Sequence, residues 1–311
     1  MRMLGTLAKN VFTGVALVAG IGACNGAAAQ DQTKTIRAPE YTKKRPSVAE
    51  GGQAVPTTVR VRVRPRKTVI AVNTKPIPRK QIETARLGVT VWRVDASNNN
   101  QTKSLTEQDA RSSDGHRLAR LSADAVLAVG DSVKIGVESL THPGYLYIID
   151  REKYADGTFG QPILIYPTLR YSGGNNFIRP GDIVFLPSPN RELVVKTDTS
   201  TRQVAEELTI VVSPTRLIEP LQLQSTEIKL SPSQLLGWFQ KWSRRGIQYD
   251  QVDSPGSSMS LREQAAGGDQ SKGLHEQPLT KDDPLPQTII EMMIKKNDPI
   301  ITTVTLPIKQ A

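Results

Sequence analysis

The sequence predicts a mainly β protein, an antiparallel β-sandwich of immunoglobulin-like type with one amphipathic helix and a C-terminal hairpin. Three observations carry this. Short β-branched and aromatic runs recur after position 87. Turn residues separate them at regular intervals. No strand–helix–strand alternation supports a parallel sheet.

The elements follow in order. Gly88-Val89-Thr90-Val91-Trp92-Arg93-Val94 reads as a strand, and the polar stretch 95–124 as a long loop. Ser132 to Ser139 alternates polar and apolar residues, the pattern of a half-buried strand. Tyr145-Leu146-Tyr147-Ile148-Ile149 is nearly continuous in apolar character and reads as a central strand. Asp156-Gly157 is a hairpin signal that returns the chain to Pro162–Tyr166. Two further strands are expected at Asp182–Leu186 and Leu208–Val212.

The helix has its own punctuation. Ser231 is an N-cap, Pro232 occupies the first helical position and Gln234 completes a capping box. Leu235, Trp238, Phe239 and Trp242 share one face, expected to pack on the sandwich. Ser260 and Glu263 can cap a second, short helix within a Gly-, Ser- and Pro-rich stretch, 253–286. Runs at 287–294 and 300–306 flank Lys295-Lys296-Asn297-Asp298-Pro299 and read as the closing hairpin.

Charge is distributed unevenly. The chain of 311 residues carries a formal net charge of +10. Residues 30–86 hold 14 Lys+Arg and 4 Asp+Glu, whereas 87–311 hold 24 and 26, so the body is close to neutral. The total charge suggests a nucleic-acid binder, but the basic segment follows a signal-peptide layout, so the expected partner is an anionic envelope surface, and no aromatic alternates with the arginines as a base-stacking platform would require. The basic segment, with six prolines, reads as an extended linker, largely disordered. Lys43, Lys44, Arg45, Arg60, Arg62, Arg64, Arg66 and Lys67 are the candidates for contact with an anionic lipid or cell-wall surface. Val59 to Arg64 has strand period and could form one edge strand with a charged face.

Residues 1–29 have a signal-peptide layout: basic groups at Arg2 and Lys9, then an apolar run too short to span a bilayer. Two exits compete. Ala27-Ala28-Ala29 suits ordinary cleavage, and Ile21-Gly22-Ala23-Cys24 resembles a bacterial lipobox in which Cys24, the sole cysteine, is lipidated. The expected organisation is therefore 1–29 signal, 30–86 linker, 87–219 sandwich, and 220–311 helix, loop and hairpin packed upon it.

Gly144, Tyr145, Tyr147, Asp150, Arg151, Asp156, Gly157 and Pro167, with Asn175-Asn176 and Pro180-Gly181, occur in an order that resembles the bacterial family called domain of unknown function 4384. The resemblance covers about 85–219. It implies a β-sandwich in bacterial envelope or extracellular proteins and assigns no catalytic residue.

The residues themselves point to no enzyme. His116, His142 and His275 are scattered and read as surface histidines, and no Gly-x-Ser-x-Gly elbow is present. One cysteine and the spacing of the carboxylates favour no metal, and no phosphate-cradling loop calls for a cofactor. The tyrosines at 145, 147, 154, 166 and 171 read as core, with a shallow peptide or glycan surface as the alternative. The expected function is a non-catalytic binding or structural module of the cell envelope. It is exported to the periplasm or held at the outer membrane. Its partner is an envelope protein or a cell-wall or lipid surface, and membrane contact runs only through a lipid anchor or the basic segment. An envelope enzyme subunit and an adhesin acting through the basic segment are the alternatives.

Overall fold

A strand presents odd and even side chains to opposite faces, so a chain with apolar residues on both parities needs cover on both sides of its sheets. The structure, a computed structural model, describes residues 32–47, 58–66, 81–95, 117–187, 193–195, 202–224, 227–267 and 278–309, all within one unit, Asp31–Ala311. In chain order the elements are β1 (Gln32–Arg37), α1 (Ala38–Thr42), β2 (Thr58–Arg66), β3 (Ile82–Asp95), β4 (Arg117–Arg120) and β5 (Ser132–Ser139). There follow β6 (Gly144–Tyr154), β7 (Ile163–Tyr166), α2 (Leu169–Ser172), β8 (Phe177–Ile178), β9 (Ile183–Leu186), β10 (Leu193–Val194) and β11 (Gln203–Ser213). The chain continues through β12 (Ile228–Lys229), α3 (Pro232–Trp242), β13 (Gly246–Gln251), α4 (Leu261–Ala266), β14 (Thr288–Lys295) and β15 (Ile300–Pro307).

The strands form two antiparallel sheets, as the sequence predicts. One has nine strands along the path β1-β2-β13-β14-β3-β5-β10, with β4 on β3 and β9 on β5. The other has six along β12-β7-β6-β11-β15, with β8 on β6. Fifteen strands among the described residues exceed the seven to nine of an immunoglobulin-type sandwich.

Parity sorts the core. Leu87, Val89 and Val91 of β3, Val133, Ile135 and Val137 of β5, and Ile290 and Met292 of β14 face inward from the larger sheet. They meet Leu146 and Ile148 of β6 and Leu208, Ile210 and Val212 of β11. The opposite parity of the smaller sheet, Tyr147, Ile149, Val211 and Ile301, is covered by Leu235, Phe239 and Trp242 of α3. Burying each of these large side chains contributes about 1.5–3 kcal/mol. The expected packing face of the helix is therefore the face that packs. Ser231 Oγ accepts from the Gln234 backbone amide at the N-cap. The outer parity of the larger sheet is covered by α1 with Leu285, and by α4 with Leu279. The Ser260–Glu263 capping box of α4 is complete in both directions.

Three expectations are corrected. The segment 30–86 is not simply a linker. In it β1 pairs with β2, and β2 lies between β1 and β13, so β2 is interior to the sheet rather than its edge. Ile36, Ala38, Tyr41 and Val61 are buried. The physical reason is that valines 59, 61 and 63 fall on one face, while the arginines fall on the other and find acids. Arg62 and Arg64 reach Asp124, Arg64 reaches Asp250 at 3.2 Å, and Arg60 lies 3.6 Å from Asp253.

The C-terminal pair is not a hairpin. β14 sits between β13 and β3 in the larger sheet, whereas β15 pairs with β11 in the smaller one. The turn through Asn297, at φ 64, is therefore an arch that crosses the sandwich. Its Asn tolerates the left-handed conformation that most side chains avoid. The loop expected over 95–124 also contains β4, paired with β3.

Candidate functional site

The site begins with strand parity. On β6 and β11 the even-numbered positions point between the sheets, and the chain places Asp150 after Ile148 and Glu206 before Leu208. Leu208 pairs with Asp150 across the ladder, so Glu206 lies diagonally next to Asp150 on the same face. A charged residue at the inward parity of an apolar strand must find a partner or stay protonated.

These residues line a cavity of about 150 Å3 between the sheets. Val133, Ile135 and Leu186 supply one wall, Ile165 and Leu208 the other, and Leu193 to Val195 the rim. Glu227, exposed, also lies at the rim. No Lys or Arg is among the lining residues. Sheet order places the cavity at the β5–β10 side. The opposite side of the interlayer, under β2 and β13, is filled by a polar network. There Arg66 donates to the Thr303 carbonyl of β15 and, at 2.8 Å, to Gln248.

The two carboxyls lie close enough to act on each other's ionisation. Asp150 Oδ1 and Glu206 Oε2 are shut off from water and have no hydrogen-bond partner. Gln203 Nε2 donates to the remaining oxygen, Glu206 Oε1, at 2.7 Å. Burial, reinforced by the neighbouring Glu206 and Glu152 charges, pushes Asp150 up to about 8. Burial also raises Glu206 above the usual carboxylate range. Asp150 therefore keeps its proton at neutral pH in an apolar surround. The arrangement can accept a hydrogen bond or a cation and gives the cavity a polar end.

The sequence-predicted residues fall into separate roles. Tyr147 is buried on the outer parity, and its hydroxyl accepts from the Leu217 amide at 2.8 Å. Arg151 pairs with Glu207 and lies over the Phe159 ring at 3.8 Å. Tyr145 meets Phe177 edge-on, with Arg216 over its ring. Asp156 accepts from the Thr158 amide and hydroxyl, and Gly157 takes the positive φ that closes the turn. Gly144 lets the Ser213 carbonyl approach, since a Cβ there would lie 2.7 Å from that oxygen. Pro167 follows β7. Of this set only Asp150 faces the cavity.

The basic candidates do not form one patch. Lys43 and Lys44 are exposed, whereas Arg45 is 2% exposed and belongs to the core. Its Nε and Nη2 donate to Glu138 at 2.7 Å each, and its Nη1 donates to the Asp283 carbonyl at 3.0 Å. Arg66 is bound to β15 and β13 as described. Arg60, Arg62 and Arg64 are ion-paired within the chain. His142 lies near the surface, 3.2 Å from Glu83. Cys24, Lys67, His116 and His275 lie outside the described residues. Among the described residues no cluster of three or more His, Cys, Asp or Glu side chains could hold a metal ion.

Sequence reasoning missed Glu206 and the cavity. The signal was present: an acid on the parity of Leu208, Ile210 and Val212, opposite a second acid on the parity of Leu146 and Ile148.

Fold and site together define a two-sheet antiparallel β-sandwich with an interlayer cavity closed by a carboxyl pair. Compared with known proteins, the chain matches no family model, no curated protein and no solved structure.

Proposed function

We propose that this protein is a non-catalytic binding module of the bacterial cell envelope, and that its sandwich takes a small, mainly apolar ligand group into the cavity. The observation that carries the reading is the preformed cavity of about 150 Å3, lined by aliphatic side chains and ended by two carboxyls. A few convergent polar groups in an apolar concavity are the usual composition of a ligand site. The order of motif residues from Gly144 to Pro167, similar to that of the envelope family named above, supports the same class.

The test is a titration of the full chain with n-butanol, followed by amide chemical shifts. Saturable shifts centred on Ile165, Val195 and Leu208, abolished in a folded Leu208→Trp variant that fills the cavity, support the reading. Shifts that never saturate, or that survive the substitution, overturn it.

Export is part of the proposal and rests on the signal layout of residues 1–29. Cell fractionation with lipid labelling separates its two forms. A labelled, membrane-held wild type with an unlabelled Cys24→Ser variant identifies lipidation at Cys24. An exported chain without label in either identifies cleavage after Ala29, and retention in the cytoplasm contradicts export.

A further inference from the structure

We infer that the cavity is selective for an aliphatic primary ammonium group, the carbon chain lying among Ile135, Ile165 and Leu208 and the ammonium lying on the Asp150–Glu206 pair. The inference rests on the binding reading above and deepens it. Three observations carry it. First, the cavity has the volume of one that holds a benzene-sized guest, about 150 Å3. A chain of four to six carbons with a polar head is therefore the matching size. Second, the groups that meet at its polar end are all acids: Asp150 and Glu206, with Glu152 beside them on β6 and Glu227 at the rim. No basic side chain lines the space to neutralise them. Third, Asp150 Oδ1 and Glu206 Oε2 are inaccessible to solvent and have no hydrogen-bond partner.

In the empty site Asp150 keeps its proton, because burial and the neighbouring acids disfavour a second buried charge. An ammonium has three donors and a full positive charge. It can take the place of that proton and satisfy both carboxyls, while a neutral ligand leaves the proton on Asp150. Binding therefore releases up to one proton, which passes to the buffer. The groups that act on the pair are Glu152, the Gln203 amide and the Arg151 backbone amide, none of which supplies a competing positive charge.

The chemistry has two sources, a free small amine and the side chain of a lysine in a peptide, and the probes distinguish them. The full chain is titrated by calorimetry with n-butylammonium, n-butanol and Nα-acetyl-lysine N-methylamide, at pH 6 to 9 and in buffers of different ionisation heat. At pH 8 butylammonium is expected to bind at least about tenfold more tightly than butanol. Its affinity should rise by up to about tenfold per pH unit from 6 to 8 and then level off. Proton release should accompany binding. Folded Asp150→Asn and Glu206→Gln variants should lose the preference for the amine while still taking butanol. Binding of the lysine derivative with the same pH profile assigns the source to a peptide side chain, and its failure beside a binding butylammonium assigns a free amine.

Equal affinity for butanol and butylammonium in the wild type overturns the ammonium inference and leaves the binding reading standing. Absence of binding by all three overturns both.

Discussion

At the scale of single residues, burial decides what a charge can do. Arg45 stands in a basic triplet with Lys43 and Lys44, yet it is inside the protein while its neighbours are exposed. It forms two hydrogen bonds to Glu138, whose carboxyl burial pushes upward despite the arginine beside it. Nothing in the local sequence separates Arg45 from the two lysines, because its partner is 93 positions away. Removing one member of such a pair strands the other. Arg45→Met is expected to cost about 3–5 kcal/mol of stability. The double substitution Arg45→Met with Glu138→Leu should recover most of that loss, because no charge is then left buried alone. Urea denaturation measures both, and a single-variant loss below about 1 kcal/mol contradicts the role assigned to the pair. Asp150 follows the same rule with the opposite remedy, since its partner is another acid and a proton replaces the missing cation.

At the scale of elements, legibility depended on whether the signal was local. Helix α3 was readable because its cap, its proline and its apolar stripe all lie within a dozen residues. The β6–β7 pair was readable because Asp156-Gly157 marks the turn between them. By contrast, β13 was not. It starts at Gly246, which reads as a helix stop, and its composition is polar. That glycine also serves the sheet, since a Cβ there would come within 2.7 Å of the Glu291 carbonyl. The closing strands β14 and β15 were readable as strands but not as an arch. A hairpin and an arch have the same alternation and a similar turn, and only long-range pairing with β3 and β11 distinguishes them. Strands β1 and β2 looked like linker because their charge and proline content were weighed above the period of three valines. Acids on the body neutralise that charge, which is a property of the folded surface rather than of the segment.

At the scale of the whole molecule, the two sheets enclose an interlayer of three characters. Its β2–β13 side is polar, its centre is aliphatic, and its β5–β10 side opens into the cavity with the carboxyl pair. Among the described residues no helix is long and apolar enough to cross a membrane. The sandwich class was legible in the repeated short strands, and half of the candidate site, Asp150, stood among the motif residues. The pairing of Asp150 with Glu206 was not, because it joins positions 56 apart through strand register alone.

The most direct measurement is therefore the stability of the full chain from pH 5 to 9, beside that of Asp150→Asn. A carboxyl raised by burial to about 8 holds its proton in the fold and loses it when unfolded. Over that window the folded state binds more protons, so stability falls as pH rises and levels off near 8. The ordinary unfolded value lies near 4, so the wild type should lose on the order of a few kcal/mol between pH 5 and 8 through this group. Glu206, Glu138 and Asp250 are raised as well and act in the same direction; Glu138 and Asp250 cancel in the difference between the two chains, which reports Asp150 together with its coupled partner Glu206. The asparagine variant should show a distinctly shallower decline and exceed the wild type at pH 8. Parallel pH profiles in the two chains would contradict a protonated carboxyl pair at the end of the cavity, and with it the site on which the binding function rests.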